Sequence, residues 1–130
     1  MRTLNGYQIE TYKQLLLLKF WGHLDANTAK KQIEKAKGII EKKFENGWAL
    51  MVDMTHFTGC DDECHEIFDR MNSWSAKHGQ STEAIVHNHS YSKIRLAESY
   101  NKVLPCSVKT DYFTDTFEAA KWLNSIGYSI

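Results

Sequence analysis

Leu15-Leu16-Leu17-Leu18-Lys19-Phe20-Trp21 shows no polar alternation until Lys19, and Trp48-Ala49-Leu50-Met51-Val52-Asp53 is a second short apolar run that ends on an acid. Continuous runs of this length suit strands in a sheet covered on both faces, because each side chain then meets a packed layer whichever way it points. Between the two runs, Asp25 is placed to cap a helix. Its apolar positions Ala26, Ala29, Ile33, Ala36, Ile40 and Phe44 recur every three or four residues. Asn46-Gly47 ends it, since glycine suits the left-handed position beyond a helix C-terminus. Strand, helix and strand in that order predict a right-handed crossover between parallel strands.

On the N-terminal side, Tyr7, Ile9 and Thr11 alternate with polar residues as in an edge strand, and Lys13-Gln14 makes a short turn into the first apolar run. This first strand is free to pair antiparallel through that turn. On the C-terminal side, Met54–Gly59 reads as a loop and residues from about Asp61 to His78 as a helix. The apolar stripe of that helix is Cys64, Ile67, Phe68, Met71 and Trp74 or Ser75, and Gly79 closes it. Ala84–His87 is a third buried-type strand. Ser92 begins a helix through Leu104, with Ile94, Ala97, Tyr100 or Asn101, and Leu104 inward, and Pro105 stops it. Ser107–Phe113 alternates through Val108, Thr110 and Tyr112. Asp115 with Glu118 three residues on makes a capping-box-like start to a last helix that buries Ala119, Leu123 and Ile126 and stops near Gly127. The predicted class is α/β: a mixed, mostly parallel five-stranded sheet with about four helices in the order β-β-α-β-α-β-α-β-α, forming a single domain over residues 1–130.

The composition narrows the functional classes. Sixteen Lys and Arg balance sixteen Asp and Glu, so no global field exists to hold a nucleic-acid backbone or an anionic membrane. The six lysines Lys30, Lys31, Lys35, Lys37, Lys42 and Lys43 on the outer face of the first helix are a solvated face or a docking surface. No apolar run approaches the roughly 20 residues that span a bilayer, and residues 1–10 lack the pattern of a secretory signal. The expected location is cytoplasmic. There Cys60, Cys64 and Cys106, an odd number, stay reduced rather than forming a disulfide framework.

The tail Phe113-Thr114-Asp115-Thr116-Phe117-Glu118-Ala119-Ala120-Lys121-Trp122-Leu123 resembles the Phe-x-Asp-x-x-Glu-Ala-x-x-Trp-Leu ending of SpoIIAA-like proteins, a group related to STAS domains. Gly22-His23-Leu24 after the second strand, the strand ending in Asp53, and the element order agree with that resemblance over almost the whole length. The tail also reads as structural on its own, Asp115 and Glu118 serving the first helical turn while Trp122 and Leu123 lie on the sheet. STAS domains that act as anti-sigma-factor antagonists carry a phosphorylatable serine at the start of the helix after the Asp-ending strand. Here the matching stretch, Gly59-Cys60-Asp61-Asp62-Glu63, has no serine. The acids either imitate a permanently phosphorylated state or simply favour a helix N-terminus.

Ligands of open parallel sheets bind outside the carboxyl ends of the strands. That rule selects the loops Asp53–Glu63 and His87–Ser92, and as candidate binding residues Asp53, His56, Cys60, Asp61, Asp62, His87, His89, Lys93 and Arg95. His87, His89, Lys93 and Arg95 gather positive potential where an anionic group can rest. Cys60, Cys64 and His56, with His87 or His89, are the weak candidates for a tetrahedral metal site, although Cys64 lies on an apolar stripe and no Cys-x-x-Cys pair is present. Asp61, Asp62 and Glu63 oppose a thiolate at Cys60. The Cys64 to Arg70 spacing lacks the small residues of a phosphate loop, and His87-Asn88-His89 lacks the surroundings of a nuclease. Gly-x-Gly-x-x-Gly, Walker and Gly-x-Ser-x-Gly patterns are absent from the sequence. No cofactor is implied.

The leading expectation is a non-catalytic SpoIIAA-like module binding a protein partner or small anion at the carboxyl edge of its sheet, not nucleic acid, and with outer strands or helices available for a homodimer. A second class is a carrier of a lipid or other apolar ligand. SpoIIAA-like domains resemble the CRAL-TRIO fold, and Trp21, Trp48, Trp74 and Trp122 are candidates to line a pocket. A third is a Cys/His metal or redox site.

Overall fold

A computed structural model of the chain describes residues 5–88 and 108–129. The expected helix over residues 92–104, Cys106, and the candidates His89, Lys93 and Arg95 lie outside the described residues. β1 (Gly6–Tyr12) turns back through Lys13-Gln14 into β2 (Leu15–Leu24), and the two pair antiparallel from Gly6↔Trp21 to Tyr12↔Leu15. α1 (Ala26–Lys43) leads to β3 (Trp48–Asp53), which runs parallel to the first half of β2, Leu15↔Ala49 through Lys19↔Asp53. β4 (Phe57–Cys60) runs parallel to the second half of β2, and α2 (Asp62–Lys77) follows it. β5 (Gln80–Val86) pairs with β3, β6 (Lys109–Phe113) pairs with β5, and α3 (Thr116–Ser125) follows. The sheet order is β1-β2-β3-β5-β6, with β4 beside β2.

Six strands, not five, therefore make the sheet among the described residues. The added strand is β4, where a loop was expected. One apolar residue holds it in place: Phe57 is buried, with its ring edge-on to Phe20 at 5.0 Å and 89°, and Phe20 in turn stacks on Phe68 of α2 at 5.3 Å. Alternation of side chains along the strands divides the core into two layers. Leu16, Leu18, Phe20, Trp48, Leu50, Val52 and Ile85 pack under α1 and α2. Leu15, Ala49, Met51, Ala84 and Val86 pack under Ala119 and Leu123 of α3. All six residues of β3 are buried, as its unbroken apolar run predicts. At about 1.5–3 kcal/mol for each large apolar side chain removed from water, this strand alone is a principal source of stability.

The helix ends follow local chemistry. Asp25 caps α1 by accepting from the Thr28 N–H at 2.7 Å, and Asp115 caps α3 by accepting from Glu118 N–H at 2.8 Å. α1 ends at Lys43, earlier than Asn46-Gly47, because Phe44 turns extended and lays its ring on Trp48 at 5.6 Å. Ile126, expected inside, is half-buried at the C-cap of α3. Lys35 and Lys37 of the basic α1 face lie over the rings of Tyr7 and Trp74 at 5.4 and 5.2 Å, so part of that face is engaged within the molecule. Among the described residues, no helix is long and apolar enough to cross a membrane.

At the amino end of the sheet, the α1–β3 and α2–β5 connections lock together. Gly47 N–H donates to Gly79 O at 2.7 Å, and Trp48 Nε1 donates to His78 O at 2.9 Å. Gly79 has φ +94°, and a Cβ there would lie 2.5 Å from Asn46 Oδ1 and 2.9 Å from Asn46 Cα. Gly79→Ala is expected to lower unfolding stability by about 1–3 kcal/mol. Gly38→Ala, inside α1 with no atom within 4 Å of the added Cβ, should raise it by about 0.5–1 kcal/mol. Urea titration of the two variants checks both signs.

β5 begins earlier than Ala84, and its polar first half is buried. Gln80 Nε2 donates to Glu83 Oε1 at 2.9 Å, while Glu83 Oε2 has no hydrogen-bond partner and the residue is fully buried. Burial pushes the Glu83 carboxyl up to about 7 from 4.5, against the smaller opposite effect of the Gln80 bond. Folding thus favours the protonated acid. Its contribution is fully present below about pH 4.5 and is lost as pH rises through about 7, a difference of about 3 kcal/mol. Glu83→Gln should match the wild type near pH 4.5 and exceed its stability above about pH 8 by up to about 3 kcal/mol; an equal gap at both pH values in chemical denaturation would contradict this.

Candidate functional site

β2, β3, β5 and β6 run parallel, so their carboxyl ends form one rim, and β3 finishes there at Asp53. Asp53 Oδ1 accepts from Thr55 N–H at 3.0 Å and from Thr55 Oγ1 at 2.5 Å, which turns the chain sharply off the strand. Met54 N–H donates to Val86 O at 2.8 Å, and His87 N–H donates to Phe113 O at 2.9 Å, extending the ladder past the strand ends. The Asn88 amide nitrogen then lies 3.0, 2.9 and 2.9 Å from the carbonyl oxygens of Met54, Thr55 and Phe57. From the other side, Gly22 N–H donates to His56 O at 2.9 Å. Residues 53–57 are thereby tied both to β2 and to residues 86–88, so the described parts of the two predicted loops share the rim.

The candidates differ in what they are free to do. Asp53 is only 6% exposed, with one carboxylate oxygen committed to Thr55. His56 is exposed, and His87 is half-buried. β4 ends at Cys60, and Asp61 caps α2 by accepting from Cys64 N–H at 2.9 Å. That bond supports the helix-terminus reading of the acidic stretch and makes Asp61 a structural residue. Asp62 and Glu63 stay exposed in the first turn, Glu63 within 3.6 Å of Lys30 Nζ. Cys64 is fully buried. A hydrogen bond to the Cys60 sulfur, burial, and the charges of Cys60, Asp61 and Asp25 all push its thiol up, so it stays protonated. Among the described residues, no three His, Cys, Asp or Glu side chains come together in a group able to hold a metal.

A groove of about 420 Å³ opens at the same rim on the α3 side. Leu17 and Met51 of the sheet and Phe117 and Ala120 of α3 supply its apolar lining, and Glu10, Lys19 and Asp53 supply its charge. Both Glu10 oxygens already accept within β1, from Gln8 Nε2 at 2.7 Å and Tyr12 OH at 3.1 Å. None of the four tryptophans lines the groove. Trp48 is in the core, Trp74 stacks on His78 at 3.9 Å, and Trp122 packs on Phe113 at 5.5 Å. Phe117, 72% exposed, is the exposed large hydrophobic residue among those described, and only Asp53 belongs both to this groove and to the sequence-derived candidates. The signal available in the sequence was a phenylalanine lying off the Ala119/Leu123 stripe.

The rim depends on Asn88 donating to three carbonyls. Asn88→Ala should cost about 1–3 kcal/mol by leaving those acceptors without their donor. Asn88→Asp should cost more at neutral pH, because a carboxylate would then face carbonyl oxygens. Equilibrium urea unfolding ranks the two, and equal losses would show that donation is not the source of the effect.

No protein-family model matches the sequence, and no curated protein matches it. Solved structures do. An uncharacterized protein of the DUF3478 family with a SpoIIAA-like fold, from Shewanella loihica PV-4, superposes with a TM-score of 0.72, covering 95% of this chain and 98% of its own at 16% identity. The anti-sigma factor antagonist SpoIIAA in its unphosphorylated form superposes with a TM-score of 0.62, covering 95% of this chain and 100% of its own at 13% identity. Together with the strand order and the two-layered core, these superpositions show that the chain has the SpoIIAA-like fold.

Proposed function

We propose that the chain is a non-catalytic binding or regulatory module that takes a protein partner at the carboxyl rim of its sheet. The observation carrying this reading is Phe117, an aromatic ring 72% exposed beside a groove lined by Leu17 and Met51 and bordered by charge. An apolar anchor surrounded by polar groups is the usual make-up of a protein interface centre. A fold shared with an anti-sigma factor antagonist supports a protein partner over a small substrate. Asp62 and Glu63, exposed and not needed as the cap, supply an acidic border on the α2 side of the same rim.

Pull-downs with the tagged protein test this. Phe117→Ala should reduce capture of the partner by roughly tenfold or more, as loss of an interface anchor does, with an unchanged circular dichroism spectrum. Asp62→Lys combined with Glu63→Lys should weaken capture in a salt-dependent way. Undiminished capture by both variants would refute docking at the rim. A small apolar ligand in the groove is the second reading, because about 420 Å³ falls within the range of small-molecule sites. Native mass spectrometry separates the readings, since a ligand carrier retains added mass that Phe117→Ala sheds.

A further inference from the structure

β1 closes the sheet on one side. Among the described residues its one strand neighbour is β2, and their antiparallel register runs unbroken from Gly6↔Trp21 to Tyr12↔Leu15. In such a pair about half of the edge strand's backbone N–H and C=O groups point away from the sheet. Proteins commonly blunt an edge of this kind with proline, lysine or a bulge. Gly6–Tyr12 has none of the three over its seven residues, so it is a regular template for a further strand.

Beside this edge, on the face covered by α1, lies a groove of about 550 Å³. Tyr7 and Ile9 of β1 and Ile39 of α1 form its apolar wall, and Lys35, Lys42 and Lys43 give it charge of one sign, with no acid in the lining. The three lysines are exposed, and among the described residues none of them is in a salt bridge. Lys35 Nζ lies 5.4 Å from the centre of the Tyr7 ring, which holds that ammonium over the strand rather than out in water. Gly38 lines the same groove, and a Cβ there would meet nothing within 4 Å. Glycine is a poor helix former, and at this position its missing side chain leaves the space between α1 and β1 open.

We propose that the edge of β1 takes an extended acidic segment of a protein partner as an added strand, its carboxylates meeting Lys35, Lys42 and Lys43. Lys35 and Lys42 are seven residues apart, about 10.5 Å along the helix, and alternate side chains of a strand lie about 7 Å apart on one face. Successive carboxylates on that face therefore come within reach of both flexible lysine stems. A second copy of this chain fits the edge poorly. Antiparallel pairing of β1 with its own copy would bring two α1 helices onto the same face and set their lysines against each other, while the residues of the incoming strand on that face, Tyr7, Ile9 and Thr11, bring no acid. The site lies on the opposite face of the sheet from the Phe117 groove, so it stands or falls separately from docking at the carboxyl rim.

The probe is a short fluorescein-labelled peptide in which Glu and Ile take turns at every second position with Thr between them, titrated with the full chain and followed by fluorescence anisotropy. Saturable binding that weakens as salt rises is expected. Lys35→Glu combined with Lys42→Glu should lower the affinity by roughly tenfold. Lys77→Glu combined with Lys121→Glu, the same charge change on exposed positions of α2 and α3, should leave most of it. Gly38→Leu puts a better helix former into α1 and fills the groove, so it should abolish binding in a chain at least as stable, which separates blockage from misfolding. Peptides methylated on alternate backbone nitrogens carry the signature of a strand: one alternation should lose binding and the other keep it, because an added strand pairs through one edge only. Absence of saturable binding, insensitivity to Gly38→Leu, or equal behaviour of the two methylated peptides would overturn the proposal. So would a dimer in sedimentation that Gly38→Leu disperses, since the edge would then belong to a second copy.

Discussion

β2 runs for ten residues, and no single parallel neighbour pairs with its whole length. Its first half pairs with β3 and its second with β4, with a register shift between Gly22 and His23. The change of neighbour has a physical cause. Asp53 turns the chain off β3 through its bonds to Thr55, and Phe57 brings it back by entering the aromatic cluster of Phe20 and Phe68. The start of α2 and the carbonyls that receive Asn88 follow from where β4 is held.

The two faces of the sheet are covered unequally among the described residues. α1 and α2 close a large apolar layer over one face, whereas on the other α3 contributes Ala119 and Leu123 to a smaller cluster. The groove lies between α3 and the strands β1, β2 and β3, and there Leu17 is partly exposed while Leu16 and Leu18, pointing the other way, are buried. Packing leaves the apolar surface that the proposed interface uses, and the charged residues Glu10, Lys19 and Asp53 border it.

The fold was legible where burial leaves no choice of residue. β2 and β3 read as apolar runs because both their faces are covered, and α1 read as a helix because one stripe of it is. β4 was not legible, since four residues with one buried phenylalanine carry no period. The first half of β5 was hidden for the opposite reason: Gln80, Thr82 and Glu83 are polar in composition yet buried in place. At the site, the rule that loops gather at strand carboxyl ends brought Asp53 and His87 to one rim, but it could not tell a cap from a contact, and Asp61 is a cap. Asn88 escaped notice because its partners lie more than thirty residues earlier in the chain, and the groove escaped because Leu17, Met51 and Phe117 converge only in three dimensions.

Glu83 gives the molecule a thermodynamic property that its contacts do not display. Between the ordinary carboxylate range and about pH 7, the unfolded chain carries this group ionised and the native chain carries it neutral. Collapse of the sheet in that interval therefore draws close to one proton out of solution. The measured heat of folding then includes the ionisation enthalpy of whichever buffer surrenders that proton, so calorimetric enthalpies obtained in phosphate and in an amine buffer will differ for the same structural transition.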